Sequence, residues 1–535
     1  MSNKKRLKTQ KTARPHGEPG NRPDGSQAII RPLRVSLTHG LFSIDHRSLA
    51  LFRIAISVVL LLDLAIRATD LTAMHTDDGM FSRVLICQYY TSVWNWSFHF
   101  GSGSAWFQSS LFAISALFAV ALLLGYKTRI ATIGSWLMLI SLHNRVPPIL
   151  NGADNLLRML LFWAMFLPLD RVWSIQAKSC KQQESGSHAG EELSFASAAI
   201  MLQMAMMYLF TAVFKSNNDW LQGETLAVGL SHDFYARPIG SWLLQFPTLL
   251  TLITLGVLYL EWLGPLLLFV PWKTPRIRIV VVFLLVAMHL GIEILMTVGL
   301  FSYASLVGLT LFIPAEFWQW IRTRFGRTKL QCNEFSVTPD RNRSIANSLT
   351  QWFCSVVFAY ILFVNVNGLP EQWVPWTPKS THDFLTISCG LGQKWDMFGE
   401  APSKDGWYVA QAVLSDGSKI DLLRDGEPVT WERPRNPAGI YRNHRWSKCF
   451  REMSYEDAIG YQVFRQPIAE YLCREWAKRH DAEKQISEFS LVFCQQETTI
   501  DEMSLGPRTR RDTLVLLNPE MRRSMQLRNA HNSSR

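Results

Sequence analysis

Apolar residues in this chain come in long blocks, without the alternation of a sheet or the one-sided stripe of a soluble helix. A membrane-spanning helix needs ~20 mostly apolar residues. Stretches of that kind recur through the first two thirds and predict nine helices, over residues 48–67, 105–125, 130–146, 155–169, 195–214, 242–270, 279–297, 301–321 and 352–366. The sixth run is long enough for tilt, and the ninth stands apart after a polar linker. The connections orient them. Lys127-Thr-Arg129, the loop from Arg171 to Lys181, the loop from Lys273 to Arg278 and the run from Arg322 to Lys329 all fall on one side if the basic N-terminus is inside. That is the bias expected of cytoplasmic loops. The N-terminus is therefore expected in the cytoplasm and the C-terminus outside.

After Pro370 the pattern changes. Apolar runs flank Asp416-Gly417 as in a β-hairpin, Arg424-Asp-Gly426 makes a second turn before Pro428-Val-Thr-Trp431, residues 468–478 read as a helix behind Pro467, and 489–498 alternate like a strand. The fold class expected is an α-helical integral membrane bundle of about nine transmembrane helices with a C-terminal exoplasmic α+β domain. It divides into a disordered basic arm (1–46), an eight-helix membrane domain (47–321), a cytoplasmic linker (322–350), the ninth helix (351–370) and the exoplasmic domain (371–535).

Composition supports this. Of 535 residues 48% are hydrophobic, and 20 Trp and 31 Phe suit aromatic belts at headgroup level. The net charge of +11 sits in the arm and the loops, as orientation signals do, so it does not argue for nucleic acid. The first residues are basic with no apolar stretch behind them, unlike a cleavable signal peptide. Cys389, Cys449, Cys473 and Cys494 fall in the expected exoplasmic domain, where either disulfides or buried thiols fit. No phosphate-binding loop, dinucleotide fingerprint, zinc-protease motif or paired CxxC is present, and no metal is expected. A soluble enzyme is excluded.

Ionisable residues inside membrane spans are costly and mark function by default. Asp63 and Arg67 form an i,i+4 pair, as do Asp154 and Arg158, and both read first as structural neutralisation. His289 and Glu293 share a helix face and suit an interhelical brace, Arg53 suits snorkelling to headgroups, and Glu261 falls toward the inner half, apart from the others. Lys215 ends the fifth span, just before Ser-Asn-Asn-Asp-Trp220. It reads either as an interfacial lysine at a helix C-terminus or as a buried amine. Burial favours the neutral form, which is a competent general base.

Several segments carry a resemblance: Leu49-Ala-Leu-Phe-Arg-Ile54 with Asp63, Asp78-Gly-Met80, Asn151-Gly-Ala-Asp-Asn-Leu-Leu-Arg158, Phe166-Leu-Pro-Leu169, and Tyr208 through Lys215-Ser-Asn-Asn-Asp-Trp-Leu-Gln-Gly223. His289 and Gly299-Leu-Phe301 continue it, and Gln393-Lys-Trp-Asp-Met-Phe398, Pro402, Gly406-Trp-Tyr408, Asp416-Gly417 and Asp421-Leu422 resemble the C-terminal region of bacterial members. Together these resemble the horizontally transferred transmembrane (HTTM) family, related to vitamin K-dependent γ-glutamyl carboxylase. The resemblance implies that Lys215 deprotonates vitamin K hydroquinone or another quinol. Oxygenation then gives a strong base that removes a γ-proton from a peptidyl glutamate, and CO2 adds to the carbanion. It makes Lys215, His289, Glu293, Asp154 and Arg158 the candidate catalytic residues, membrane lipids, a quinol and a glutamyl peptide the partners, and a bacterial inner membrane the location. Two departures stand out. Asp154 sits where the carboxylase has a functional histidine, and the large lumenal portion of the carboxylase has no evident counterpart. The alternative from another class is a non-enzymatic lipid or quinone carrier, or a scaffold whose exoplasmic domain binds a partner.

Overall fold

The computed structural model describes residues 37–180, 190–232, 234–325, 341–370, 373–374, 383–399, 404–434, 436–454, 459–481, 484–497 and 509–517. Most of the basic arm, Lys181, Lys329 with much of the linker, Pro402 and Thr498 lie outside the described residues.

A helix stands at each place where an apolar block predicted one: α1 (His46–Thr69), α2 (Ala105–Leu124), α3 (Thr128–Arg145), α4 (Gly152–Ala164), α5 (Phe195–Phe214), α6 (Pro247–Leu267), α7 (Thr274–Leu295), α8 (Phe301–Leu309) with α9 (Ala315–Phe325), and α10 (Arg341–Asn367). Their ends follow local chemistry. Asp45, Ser104 and Ser194 cap α1, α2 and α5 with their side chains, and Gly125, at φ +70°, ends α2 in the left-handed conformation.

Six of these helices among the described residues are long and apolar enough to cross a membrane, or seven if a bent pair counts as one span. The others depart from the simple pattern for identifiable reasons. α3 carries Thr, Ser, His143, Asn144 and Arg145 along its length. α4 has only 13 residues and is buried nearly all round, so its apolar faces meet protein. α8 breaks after Phe312, and α9 leaves it at 87°; α9 is amphipathic, with Arg322 and Arg324 in its last turn.

The C-terminal region is a five-stranded antiparallel sheet with helices on it. β1 (Lys404–Leu414), β2 (Lys419–Asp421), β3 (Glu427–Pro428), β4 (Ile486–Glu497) and β5 (Thr509–Leu517) lie in the order β3-β2-β1-β4-β5. The Asp416-Gly417 hairpin forms, with Gly417 at φ +83°. α11 (His444–Ser454) and α12 (Arg465–Arg479) complete the region. Cys389, Cys449 and Cys494 are thiols. One face of this sheet keeps a small cluster of its own, Trp407, Val409 and Cys494, and the other shares its core with the bundle. Tyr408, Phe450 and Ile468 pack into one cluster with Met74, Phe81, Val146 and Ile149 from the loops of the bundle.

Candidate functional site

Lys215 caps the end of α5, and its amide donates to the Thr211 carbonyl. The residue is 4% exposed, and its Nζ donates to both carboxylate oxygens of Glu261 on α6, each at 2.8 Å. The turn that follows folds back over it. Asn217 caps a short helix (Asn218–Leu221), which brings the Trp220 ring to 4.6 Å from Nζ. At Gly223 the backbone is left-handed (φ +78°), and a Cβ there would stand 2.6 Å from the Thr251 side chain. The spacing of lysine, tryptophan and glycine is thus the geometry of a tight return over the amine, while Asp219 is exposed. Beside this site Tyr208 hydroxyl and His289 Nε2 are 2.8 Å apart, with the Phe301 ring at 5.8 Å from the imidazole.

Taking a charge out of water is expensive, and a buried ion pair survives only when its geometry is good. Here the two charges cancel, and the ring of Trp220 adds a cation–π contact. Such a pair can hold its proton on the amine, as ions, or on the carboxyl, as two neutral groups.

A second polar centre lies where the bundle meets the C-terminal region. Arg67 donates to Asp63 at 2.8 Å and to Asp154 at 2.7 Å, and His143 Nε2 lies 3.2 Å from Asp154. Asp154 also accepts the Asn151 amide at 2.8 Å, closing a capping box at the start of α4. From α11, Arg445 reaches in to Asp63, to both oxygens of Asp154 at 3.1 Å, and to the Ile149 carbonyl. Burial works against the Arg445 charge, but Asp154 and Asp63 outweigh it and hold the guanidinium above its ordinary range. The adjacent imidazole of His444 is pushed the other way, down to about 3, by burial and then by Arg451, Arg445 and Lys448. Ligand atoms of Asp63, His143 and Asp154 lie within 4.8 Å of one another, as metal ligands do. Two guanidiniums already neutralise those two carboxylates, so a divalent ion there would meet no net negative charge.

Between the two centres runs an extended segment, residues 390–399. Leu391, Gln393 and Trp395 are buried, while Lys394 and Asp396 are exposed and paired at 2.7 Å. Leu391 and Trp395 belong to the main core of the bundle. Gln203 donates to Gln393 at 2.7 Å, Trp395 Nε1 donates to the same Gln393 oxygen at 2.8 Å, and Arg158 donates to the Gly392 carbonyl at 3.3 Å. At its far end the Phe398 carbonyl accepts from Trp220 Nε1 at 2.8 Å, and the Gly399 carbonyl accepts from Asn217.

Several expectations change. Glu261 does not stand apart; it is the partner of Lys215. Helical side chains lean toward their own N-termini, so depth counted along one helix at a time can set apart two side chains that meet. Asp154 pairs with Arg67 and Arg445, and Arg158 turns instead to Asn155 at 2.6 Å. The interhelical brace expected of His289 and Glu293 forms at His289, which meets Tyr208 on α5, while Glu293 pairs with Arg237 at 2.7 Å. Arg53 does not snorkel. It is fully buried and donates to the Trp173 carbonyl at 2.6 Å. Of the candidate residues, Lys215 and His289 lie in one neighbourhood and Asp154 in another. Sequence reasoning missed Tyr208, seven residues before Lys215 on the same face, along with His143 and Arg445, which only the tertiary fold brings to Asp154.

No curated protein and no solved structure matches the chain. The family model described as the HTTM domain matches residues 42–318, more than half of the sequence. That stretch holds α1 through α8 and the first turn of α9, with Lys215, Glu261, Asp63 and Asp154 inside it and Arg445 outside, and on this match the chain belongs to the HTTM family.

Proposed function

We propose that this membrane protein takes a proton from a lipid-soluble quinol, with Lys215 as the base and Glu261 as the group that relieves Lys215 of its own proton. The observation that carries the reading is the buried pair, a lysine amine held at 2.8 Å by both oxygens of one carboxylate. Moving a single proton from Nζ to the carboxylate turns two ions into two neutral groups. In a low-dielectric interior that exchange is far cheaper than neutralising either alone, because both desolvation costs disappear together. The free amine then has a lone pair for the quinol hydroxyl. Tyr208 and His289 supply polar contacts beside it, and the Trp220 face steadies the ammonium that forms. Asp154 and Arg158, which contact other partners, serve the architecture in this reading.

The sharpest form is carboxylation of a glutamyl side chain. O2 oxidises the quinol anion to an alkoxide, the alkoxide takes the γ-proton, and CO2 adds to the carbanion. Nine membrane-embedded helices, a cytoplasmic N-terminus, an exoplasmic C-terminal region and a bacterial inner membrane complete the proposal. A second reading, a lipid or quinone carrier or a scaffold, is favoured by one observation: Leu391 and Trp395 fill the core that a quinol would enter.

Lipid-reconstituted protein given vitamin K hydroquinone, O2 and labelled CO2 separates the two. Epoxide formation that is lost in Lys215→Ala supports the enzyme. Folded protein that forms no epoxide from a range of quinols, while still binding them, supports the carrier.

A further inference from the structure

We propose that residues 390–399 form a lid on the Lys215 site: docked, the segment holds Trp220 against the amine, and released, it opens the bundle core to a lipid-soluble ligand. The proposal takes Lys215 as the working site but does not depend on any turnover.

The alternation of this segment is that of a strand, yet it lies in no sheet. Its inward residues Leu391, Gln393 and Trp395 grip the bundle, while Lys394 and Asp396 face outward and pair with each other. A wall of the bundle would be expected to bond through its backbone. Its hold on the bundle is by side chains: Gln203 on the Gln393 oxygen, Arg158 on the Gly392 carbonyl, and Trp220 and Asn217 on the carbonyls of Phe398 and Gly399, while its backbone bonds, Leu391 to Leu385 and Gly392 to Thr386, reach only the turn just before it. Non-helical backbone among membrane helices is tolerated where protein or a water-filled cavity satisfies it, and here the satisfaction is one-sided.

Both ends are built to turn. Gly390 has φ +61°, and Phe398 has φ +56°. A left-handed backbone is costly for an aromatic residue and persists where surrounding contacts over-determine it. Those contacts are the Trp220 indole and the neighbouring Asn217–Gly399 bond. Strain in Phe398 and the position of Trp220 over Lys215 are therefore released together. Undocking withdraws Trp395 and Leu391 from the core and leaves an apolar space beside Gln203, suited to a ligand with a ring and a hydrogen-bonding oxygen.

The test is a reversible lock. A Cβ on Gly152 would stand 2.1 Å from the Met397 sulfur, so Gly152→Cys with Met397→Cys places two thiols across the lid. In nanodiscs, acetylation of Lys215 by a small water-soluble ester is followed by peptide mass spectrometry, with exposed Lys127 as the internal reference. Reduction of the lock should raise the Lys215 rate by about tenfold or more if the open state is a minor population of ordinary size. Equal rates with the disulfide formed would overturn the lid. If the two thiols do not join, Trp395→Ala against the unmodified protein decides: a faster Lys215 rate supports the lid, and an unchanged rate overturns it. Failure of epoxidation with a clear lock effect would remove the enzyme reading and leave the lid standing.

Discussion

Two of the places where the molecule buries opposite charges, around Asp154 and around Lys215, are built on different terms. The centre around Asp154 is a many-membered network: two carboxylates bonded to two guanidiniums, with an imidazole, a backbone amide and a carbonyl in contact with them. The Lys215 centre is a single pair with one aromatic face. A network of several ion pairs fixes positions, whereas a single ion pair leaves a proton free to move between its two members. The difference separates a rivet from a site, although both read on paper as charges in apolar helices.

The comparison can be broken most severely at Arg445. Arg445→Met leaves Asp63 and Asp154 facing Arg67 alone, and removing one partner of a buried network costs about 3–5 kcal/mol. A large fall in thermal stability in detergent is expected, with Arg445→Lys recovering part of it; an unchanged melting temperature would show the network to be dispensable.

Acid should attack the same region next. Burial lowers His99 to about 4, and His444 is held at about 3, against 6.5 for free histidine. Both are kept neutral by the fold, so their contribution is complete above pH 6.5 and is lost as pH falls toward 4. For His99 alone the loss is about 3 kcal/mol. Melting temperature measured from pH 7 to 4 should fall, and His99→Asn should flatten part of that slope.

At the other centre the expected effect is smaller and reversible by design. Lys215→Met strands Glu261 and should cost about 1–3 kcal/mol. Adding Glu261→Leu should restore stability, because replacing both ions of a buried pair by apolar groups is often neutral or better. A double variant no more stable than Lys215→Met would place Lys215 in the structural class with Arg445. The smallest effect belongs to the exposed Lys394–Asp396 pair. Lys394→Ala should change stability by less than about 0.5 kcal/mol, so a larger change in denaturant midpoint would mean that the pair helps to hold the segment down.

These contrasts show what was readable in the chain. Helix positions were, because a block of apolar residues has few other uses. Whether a block spans was not: α4 is apolar because protein surrounds it, and composition does not distinguish that from lipid. The Asp63–Arg67 bond was readable from its i,i+4 spacing. The same spacing misled at Asp154–Arg158, where a stronger partner arrives from 291 residues away. Lys215 was singled out by its place at the end of an apolar run, but Glu261 was set apart by counting depth along one helix at a time. The lid was visible only as a motif, since alternation over so few residues does not say what the inward face will meet.

Arg445 also sets an order of events. It lies 291 residues after Asp154, an interval of roughly 15–60 s at ordinary rates of synthesis of about 5–20 residues per second. Through that time the helices that carry the two aspartates are already made but hold one counter-cation fewer than they need. A product cut before Arg445 would keep Asp63 and Asp154 in that state, so the residue that joins the two regions is also the last piece the buried network waits for.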